Sequence, residues 1–331
     1  MEYLPDFKVL RPDNLADAIA AHAASPNARY LAGGTDLLVN MRRGIVDAGL
    51  LIDLSGIADL TTIRETADGG LRIGTGVTLA RLATEPQVTD PYPAIRQAAN
   101  LVAATSHREV ATLGGNLCLD TRCVYYNQSE WWRNANAYCL KYRGDVCHVA
   151  PSGKTCFAAF SGDLAPAMLI YGAMVEIVGP DGRRTVPLDD IYQEDGMAYL
   201  RLMAGEILCA VILDRPGPNG SGYAKVRVRD AIDFPLVGIA MLLSRDGDRL
   251  RRLQVALTGT NARPLLLDGT EGLTGQPFDD TALDQLVDLV SRQIQPMTST
   301  FTPPGYRRRV AANLTRALAK KLMQATPSDP S

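Results

Sequence analysis

Apolar and polar positions along the first two-thirds of the chain form a pattern that predicts helices and strands in turn. Short apolar runs bounded by Gly, Pro and Asp predict strands at residues 29–32, 50–54, 71–73, 173–178 and 183–187. Apolar residues that recur every three or four positions predict helices after residue 13 and at residues 35–41, 93–103 and 163–171. The turn Pro180-Asp181-Gly182 joins the last two strands into a predicted hairpin.

The last third of the chain predicts a different arrangement. Residues 216–222 contain three glycines and two prolines and predict a domain boundary. Antiparallel strands are predicted at residues 223–228, 236–243 and 250–257, and helices at residues 279–294 and 306–323. In the last helix we expect the arginine and lysine residues to face solvent, opposite a packed stripe, and a surface that docks a partner is the alternative. The stripe consists of Val310, Leu314, Leu318 and Leu322.

Composition excludes several classes of function. The chain has 331 residues, enough for two domains or one large one, and its 46% hydrophobic and 21% charged residues are typical of a folded soluble protein. A net charge of -2 gives no reason to expect nucleic acid or an anionic membrane as a partner. The N-terminus MEYLPDFKVLRPDN lacks the pattern of a secretory signal, and no apolar run is long enough to span a membrane. We therefore expect a cytoplasmic protein.

Two glycine pairs are candidates for phosphate binding. They lie in AGGTDLL at residues 32–38 and ATLGGNL at residues 111–117. Glycine lets the backbone approach a ligand closely, and free N–H groups at such turns can bind phosphate, so two loops could hold a pyrophosphate from both sides. Two tight turns without a ligand are the alternative. No G-x-G-x-x-G motif follows a strand, and His148 occupies the position where the P-loop that Ser152-Gly-Lys-Thr155 resembles would need glycine.

Residues 123–156 contain four of the six cysteines and both tryptophans. The four are Cys123, Cys139, Cys147 and Cys156. Clustered cysteines in a reducing compartment are more often metal ligands than disulfides, and four thiolates match the ligand count of an iron–sulfur cluster. A zinc site and unliganded thiols stay open, although the C-x-x-C pairs usual for zinc are missing from this sequence. The aromatic residues of this segment would exclude water from such a site. We expect Cys118 and Cys209 to be small buried apolar residues.

The motifs taken together resemble those of a known family. The order AGGTD, TLGGN and SGDLAP, at residues 32–36, 112–116 and 161–166, is similar to that of the FAD-binding subunits of molybdenum hydroxylases, the xanthine oxidase group. The resemblance covers essentially the whole chain, including YAKVRVRDAIDFP at residues 223–235. Residues 117–160 form an insertion that resembles one subfamily in particular, the β subunits of 4-hydroxybenzoyl-CoA reductase. In that subfamily the insertion holds a [4Fe–4S] cluster through four cysteines, which match Cys123, Cys139, Cys147 and Cys156.

This resemblance implies a fold and a set of FAD contacts. The fold is α+β: a vanillyl-alcohol-oxidase (PCMH)-type FAD-binding domain of two α/β subdomains, residues 1–56 and 57–220, followed by a C-terminal α+β domain, residues 221–331. The implied pyrophosphate loops consist of Tyr30, Leu31, Ala32, Gly33, Gly34, Thr35, Asp36 and Leu37, and of Thr112, Leu113, Gly114, Gly115 and Asn116. Val102 would lie against the cofactor, Asp163 would accept hydrogen bonds from FAD hydroxyls, and Lys225 would stabilise negative charge on the reduced isoalloxazine.

The resemblance also implies a function, which is electron transfer through FAD and the [4Fe–4S] cluster without substrate chemistry on this chain. The implied partners are a large molybdenum subunit and a small subunit with two [2Fe–2S] clusters, in a dimer of heterotrimers, with ferredoxin as electron donor. The implied reaction is reductive dehydroxylation of 4-hydroxybenzoyl-CoA to benzoyl-CoA. Two alternatives stay open: an FAD subunit of an oxidising molybdenum hydroxylase for another aromatic substrate, and a zinc-stabilised structural subunit.

Overall fold

A small parallel sheet opens the chain. The computed structural model describes residues 3–215, 217 and 220–325. The first strands and helices are β1 (Lys8–Leu10), α1 (Leu15–Ala23), β2 (Ala28–Leu31), α2 (Leu37–Arg42) and β3 (Leu50–Asp53). The strands lie in the order β1-β3-β2, and both pairs are parallel. Asn14 caps α1 by accepting a hydrogen bond from the Asp17 nitrogen, which explains why the helix begins directly after it.

A five-stranded antiparallel sheet forms the second part of the molecule. Its strands are β4 (Ile63–Glu65), β5 (Leu71–Gly74), β6 (Met174–Gly179), β7 (Gly182–Pro187) and β8 (Ile207–Leu213), in the order β4-β5-β8-β6-β7. The helices between β5 and β6 are α3 (Leu79–Thr84), α4 (Pro86–Thr89), α5 (Pro93–Leu101), α6 (Thr105–Arg108), α7 (Leu113–Leu117), α8 (Glu130–Ala135) and α9 (Leu164–Leu169). Proline at the first position of α5 suits a helix start, because no helical partner exists there for an N–H group.

A four-stranded antiparallel sheet and two long helices form the third part. The elements are β9 (Gly220–Val226), β10 (Val237–Asp246), β11 (Arg249–Thr258), β12 (Leu265–Leu266), α10 (Asp280–Gln293) and α11 (Pro304–Ala325). Alternate residues of β10 enter two different cores: Ala240 and Leu242 pack with the second sheet, whereas Ile239 and Met241 pack with α10 and α11. Because both faces of β10 are buried, its first seven residues, 237–243, form an unbroken run without a polar side chain.

Most predicted elements are present, but several short elements, among them β1, β4, β12, α3 and α8, were not predicted. Strand β8 was not predicted either, although it lies between β5 and β6 at the centre of the second sheet. Arg307 on α11 is 0% exposed and donates hydrogen bonds to the carbonyl oxygens of Leu236 and Met297, so the prediction of a wholly solvated basic face is wrong. Cys209 is buried as predicted, but Cys118 is only partly buried.

The predicted subdomain limits stay predictions. Each of the three sheets is built from one continuous stretch of chain, residues 8–53, 63–213 and 220–266. Within the predicted boundary at 216–222, residues 216, 218 and 219 lie outside the part of the chain that the structure describes. Within the described ranges, none of the helices combines the length and the apolar character that crossing a bilayer requires.

Candidate functional site: two glycine loops beside a cysteine cavity

The two glycine loops lie against each other, backbone to backbone. The first connects β2 to α2, and the second leads into α7. A Cβ atom on Gly33 would lie 2.0 Å from the carbonyl oxygen of Val110, so only glycine allows the loops to approach this closely. Gly34 has a φ of 70°, in the left-handed region that favours glycine. The glycine pair of the first loop is therefore required by its geometry.

The second loop is held in place by its own cap and by the second sheet. The Thr112 hydroxyl accepts a hydrogen bond from the Gly115 nitrogen at 3.1 Å and thereby caps α7. The Gly114 nitrogen donates to the carbonyl oxygen of Thr75 at 2.8 Å. A Cβ atom on Gly114 would lie 2.7 Å from the Thr75 Cβ, so close packing also selects glycine at this position.

Side chains of the first loop differ in where they point. The Tyr30 hydroxyl donates to the Gly205 carbonyl oxygen at 2.9 Å, and its ring stacks on His22 with 4.9 Å between ring centroids. Leu31 and Leu37 pack against a small core around Met41. These three side chains are thus partly buried and make contacts within the protein.

Asp163 lies beside the second loop in a buried polar cluster. The Leu164 nitrogen donates to Asn116 Oδ1 at 2.9 Å, which joins α9 to the loop. Tyr223 and Lys225 are two residues apart and therefore lie on the same face of β9, from which both side chains contact Asp163. The tyrosine hydroxyl donates to Asp163 Oδ1 at 2.7 Å, and Lys225 Nζ lies 2.9 Å from the same oxygen. Burial raises the pKa of the Asp163 carboxyl, whereas Lys225 and Tyr223 act in the opposite direction.

The end of α5 adjoins the same cluster. Lys225 Nζ and Arg227 Nη1 each donate to the carbonyl oxygen of Leu101 at 3.1 Å. Val102 follows directly and packs against the main core. Ala103 has a φ of 43°, a strained conformation of the kind that concentrates at functional sites. The structure therefore places the end of α5, Lys225 and Asp163 in one cluster beside the second loop. The FAD contacts of Val102 and Lys225 stay predictions.

The cysteine-rich segment is a closed loop. The Arg122 nitrogen donates to the Ala159 carbonyl oxygen at 2.7 Å, and the Ala159 nitrogen donates back to Arg122 at 2.8 Å. These two bonds close the base of residues 123–158. The Val124 nitrogen donates to the carbonyl oxygen of Ser299 at 2.9 Å, so the C-terminal part of the chain also supports the loop.

The four predicted cysteines line one cavity inside this loop. Each is at most 8% exposed, and none of them is in a disulfide. The cavity is lined by Cys123, Cys139, Cys147 and Cys156, together with Tyr125, Tyr126, Leu140, Lys141, His148, Val149 and Ala158. The donor set therefore fits a cluster held by four thiolates. Among the residues that the structure describes, no three His, Cys, Asp or Glu side chains form a group that could hold a metal ion. The thiols thus surround a common space without converging on one point.

Two of the four thiols are held in their protonated form by their surroundings. Burial, with a smaller contribution from the neighbouring thiols, raises the pKa of Cys123 to about 12 and that of Cys156 to about 11. Lys141 acts in the opposite direction on Cys156. Because a metal ligand must be a thiolate, metal binding here would release protons.

The aromatic side chains only partly shield the cavity. Tyr125 and Tyr126 line it, and the Tyr125 ring lies 5.0 Å from the His148 ring. Trp132 packs 6.1 Å from Tyr125, measured between ring centroids. Trp131 is 78% exposed and therefore does not exclude water from the thiols, contrary to the expectation from the sequence.

Sequence reasoning missed two ion pairs beside the cysteine loop, one of which reaches the first glycine loop. Arg122, which directly precedes Cys123, pairs with Asp36 of the first loop. Lys141 pairs with Asp120, which follows the second loop, at 2.6 Å. The available signal was a charged residue close in sequence to one of the four clustered cysteines, but the partner of that residue is set by the tertiary fold.

Comparison with known proteins defines the class of this protein. Residues 5–216 match the family described as FAD binding domain in molybdopterin dehydrogenase, and residues 222–322 match the CO dehydrogenase flavoprotein C-terminal domain. The structure superimposes on reconstituted CO dehydrogenase from Oligotropha carboxidovorans with a TM-score of 0.80 and 26% identity, over 98% of this chain and 100% of that one. The predicted PCMH-type α+β fold is thereby confirmed.

Sequence relatives agree with this assignment. The chain is 33% identical to the aldehyde oxidoreductase FAD-binding subunit PaoB of Escherichia coli K12, over 82% of this chain and 86% of that protein. It is 27% identical to the carbon monoxide dehydrogenase medium chain of Afipia carboxidovorans, over 95% of this chain and 96% of that protein. The chain therefore belongs to the family of FAD-binding subunits of molybdenum hydroxylases.

Proposed function

We propose that this chain is the electron-transfer subunit of an oxidising molybdenum hydroxylase, with FAD between its two glycine loops and a [4Fe–4S] cluster in its cysteine cavity. The observation that carries the proposal is the position of four buried thiols around one cavity, in a segment whose base is linked to the first glycine loop by the ion pair between Arg122 and Asp36. The relatives are named as an aldehyde oxidoreductase and a carbon monoxide dehydrogenase, which favours oxidation over the reductive reaction suggested by the insertion.

The first loop would hold the FAD pyrophosphate through backbone N–H groups. The N–H groups of residues 113–116 in the second loop already donate within the protein, so that loop would contribute close packing against the cofactor. Asp163 would accept hydrogen bonds from FAD hydroxyls with the lone pairs that Tyr223 and Lys225 leave free. Val102 would pack against the cofactor. Lys225, whose side chain is 1% exposed, would place a positive charge where the reduced ring is negative.

The cofactors would supply transfer of one or two electrons at FAD and of one electron at a time at the cluster. In the oxidising direction, electrons would reach this chain from a large molybdenum subunit through a small subunit with two [2Fe–2S] clusters, and a ferredoxin would accept them. A dimer of such heterotrimers in the cytoplasm belongs to the same proposal. The chain itself would bind and orient the cofactors and exclude water from them.

A second candidate is reductive dehydroxylation of 4-hydroxybenzoyl-CoA, with ferredoxin as electron donor. The amino-acid sequence of the cysteine insertion favours this reaction, since residues 117–160 resemble the β subunits of that reductase. Assays of the assembled enzyme separate the two: aldehydes or N-heteroaromatics with a viologen acceptor against 4-hydroxybenzoyl-CoA with a reduced viologen. Turnover of the thioester alone would overturn the oxidising proposal.

The cofactors are tested on anaerobically purified protein that has been co-expressed with its partner subunits and then separated from them. Iron, acid-labile sulfide, zinc and flavin are measured per polypeptide, and EPR spectra are recorded after dithionite reduction. The proposal requires about four irons, about four sulfides and one FAD per chain. About one zinc without sulfide or flavin would instead support the structural subunit. Iron and sulfide without flavin would refute the assignment of the glycine loops alone.

A further inference from the structure

Lys141 places a buried ammonium group at the wall of the cysteine cavity. Its side chain is 6% exposed, and it lines the same cavity as the four thiols. Nζ lies 2.6 Å from Asp120 Oδ1 and donates to the Thr121 hydroxyl at 2.5 Å and to the Thr121 carbonyl oxygen at 3.3 Å. The ring of Tyr126 lies 4.3 Å below it. All three N–H donors are thus used, and the charge is held in one place.

A buried ion pair is a weak source of stability, because the loss of hydration offsets much of the attraction. The position of this pair nevertheless has an electrical consequence. Asp120 is 23% exposed at its side chain and faces partly toward solvent, whereas Lys141 is buried at the cavity wall. The two opposite charges therefore act on the cavity from different places.

We propose that Asp120 and Lys141 together set the reduction potential of the cluster in this cavity, an inference that rests on the proposed [4Fe–4S] site. Each reduction adds one electron and one unit of negative charge to the cluster, with the electron taken from the reductant. The Lys141 ammonium favours the added charge and raises the potential, and the Asp120 carboxylate opposes it. Because the four thiols that line the cavity are buried, both effects are stronger there than at a surface.

The test uses the full chain, purified anaerobically, with the variants Lys141→Gln, Asp120→Asn, the double variant and Lys141→Arg. Lys154→Gln is the matched control, because Lys154 is an exposed lysine of the same loop. Iron and sulfide are counted first, and the EPR signal is then titrated against potential with dithionite and mediators. We expect Lys141→Gln to shift the reduction equilibrium at least tenfold toward the oxidised form, which is about 59 mV for one electron.

Asp120→Asn should shift the equilibrium in the opposite direction, and the double variant, Lys141→Arg and Lys154→Gln should stay close to the unchanged protein. If Lys141→Gln does not retain its cluster, the other two variants test the inference. A higher reduction potential for Asp120→Asn and an unchanged potential for Lys141→Arg would support it, and an unmoved potential for Asp120→Asn would overturn it. A loaded Lys141→Gln protein with an unmoved potential would overturn the inference, as would shifts of Lys141→Gln and Asp120→Asn in the same direction. Lack of iron and sulfide in the unchanged protein would instead refute the proposed cluster.

Discussion

Replacement of Gly33 by alanine tests whether the contact between the glycine loops forms the FAD site. The new Cβ would lie 2.0 Å from the Val110 carbonyl oxygen and 2.6 Å from the Val110 carbonyl carbon, both backbone atoms that cannot turn aside. Real Cβ atoms essentially never come closer than 3.0 Å to such atoms, so the loops would have to separate by about 1 Å. A pyrophosphate held between the two loops would then lose its close contact with one of them.

Overpacking of this kind costs about 1–3 kcal/mol. If FAD draws the loops back together, this strain opposes binding and weakens FAD affinity roughly 5- to 150-fold. The neighbouring glycines predict a graded series, because a Cβ on Gly114 would lie 2.7 Å from Thr75 Cβ and one on Gly115 would lie 3.2 Å from Thr112 Oγ1. The loss of affinity should therefore be largest for Gly33→Ala and smallest for Gly115→Ala.

The assay titrates flavin-free protein with FAD and follows the quenching of flavin fluorescence. Thermal unfolding of the same flavin-free samples reports any general loss of stability. Gly272→Ala is the control, since a Cβ at this position meets no atom within 4 Å. Equal FAD affinity for Gly33→Ala and Gly272→Ala would refute the argument that this contact shapes the site.

The remaining predictions concern the buried pair, the thiols and the cysteine loop. Asp163→Asn or Lys225→Met alone should lower the free energy of unfolding by about 3–5 kcal/mol, because each leaves a buried group without its partner; urea unfolding should show that the double variant loses less than the sum. Cys139→Ser should reduce bound iron and sulfide, whereas Cys209→Ser in the second sheet should not, as measured by chemical analysis. Arg133→Met should make the cysteine loop sensitive to limited proteolysis, since this guanidinium is 0% exposed and donates to three backbone carbonyl oxygens.

Each of these predictions has an outcome that contradicts it. Strictly additive losses would show that Asp163 and Lys225 are not coupled. Full iron content after Cys139→Ser would remove that thiol from the ligand set. For the cysteine loop, Arg143→Met is the control, because the Arg143 side chain is 63% exposed. Equal protease resistance of the two arginine variants would contradict the proposed role of Arg133.

Local signals predicted much of the fold. The hairpin around Pro180-Asp181-Gly182 and the helix that begins at Pro93 follow from turn and capping chemistry, which acts within a few residues. Strand β8 was missed because its seven-residue apolar run has no alternation, and periodicity alone does not distinguish a buried strand of this kind from a buried helical segment. The burial of Arg307 was not predicted, because only the packing of α11 against the rest of the protein determines which of its basic residues are buried.

Sequence by itself determined the two glycine pairs, the four clustered cysteines and the motifs that mark the FAD-binding family. Only the tertiary structure decided that Gly33 touches Val110, that Asp163 meets Lys225, and that Lys141 lies beside the thiols. The reason is physical. Residue type and local spacing are read along the chain, whereas these contacts join segments far apart in sequence, and their distances depend on how the sheets pack.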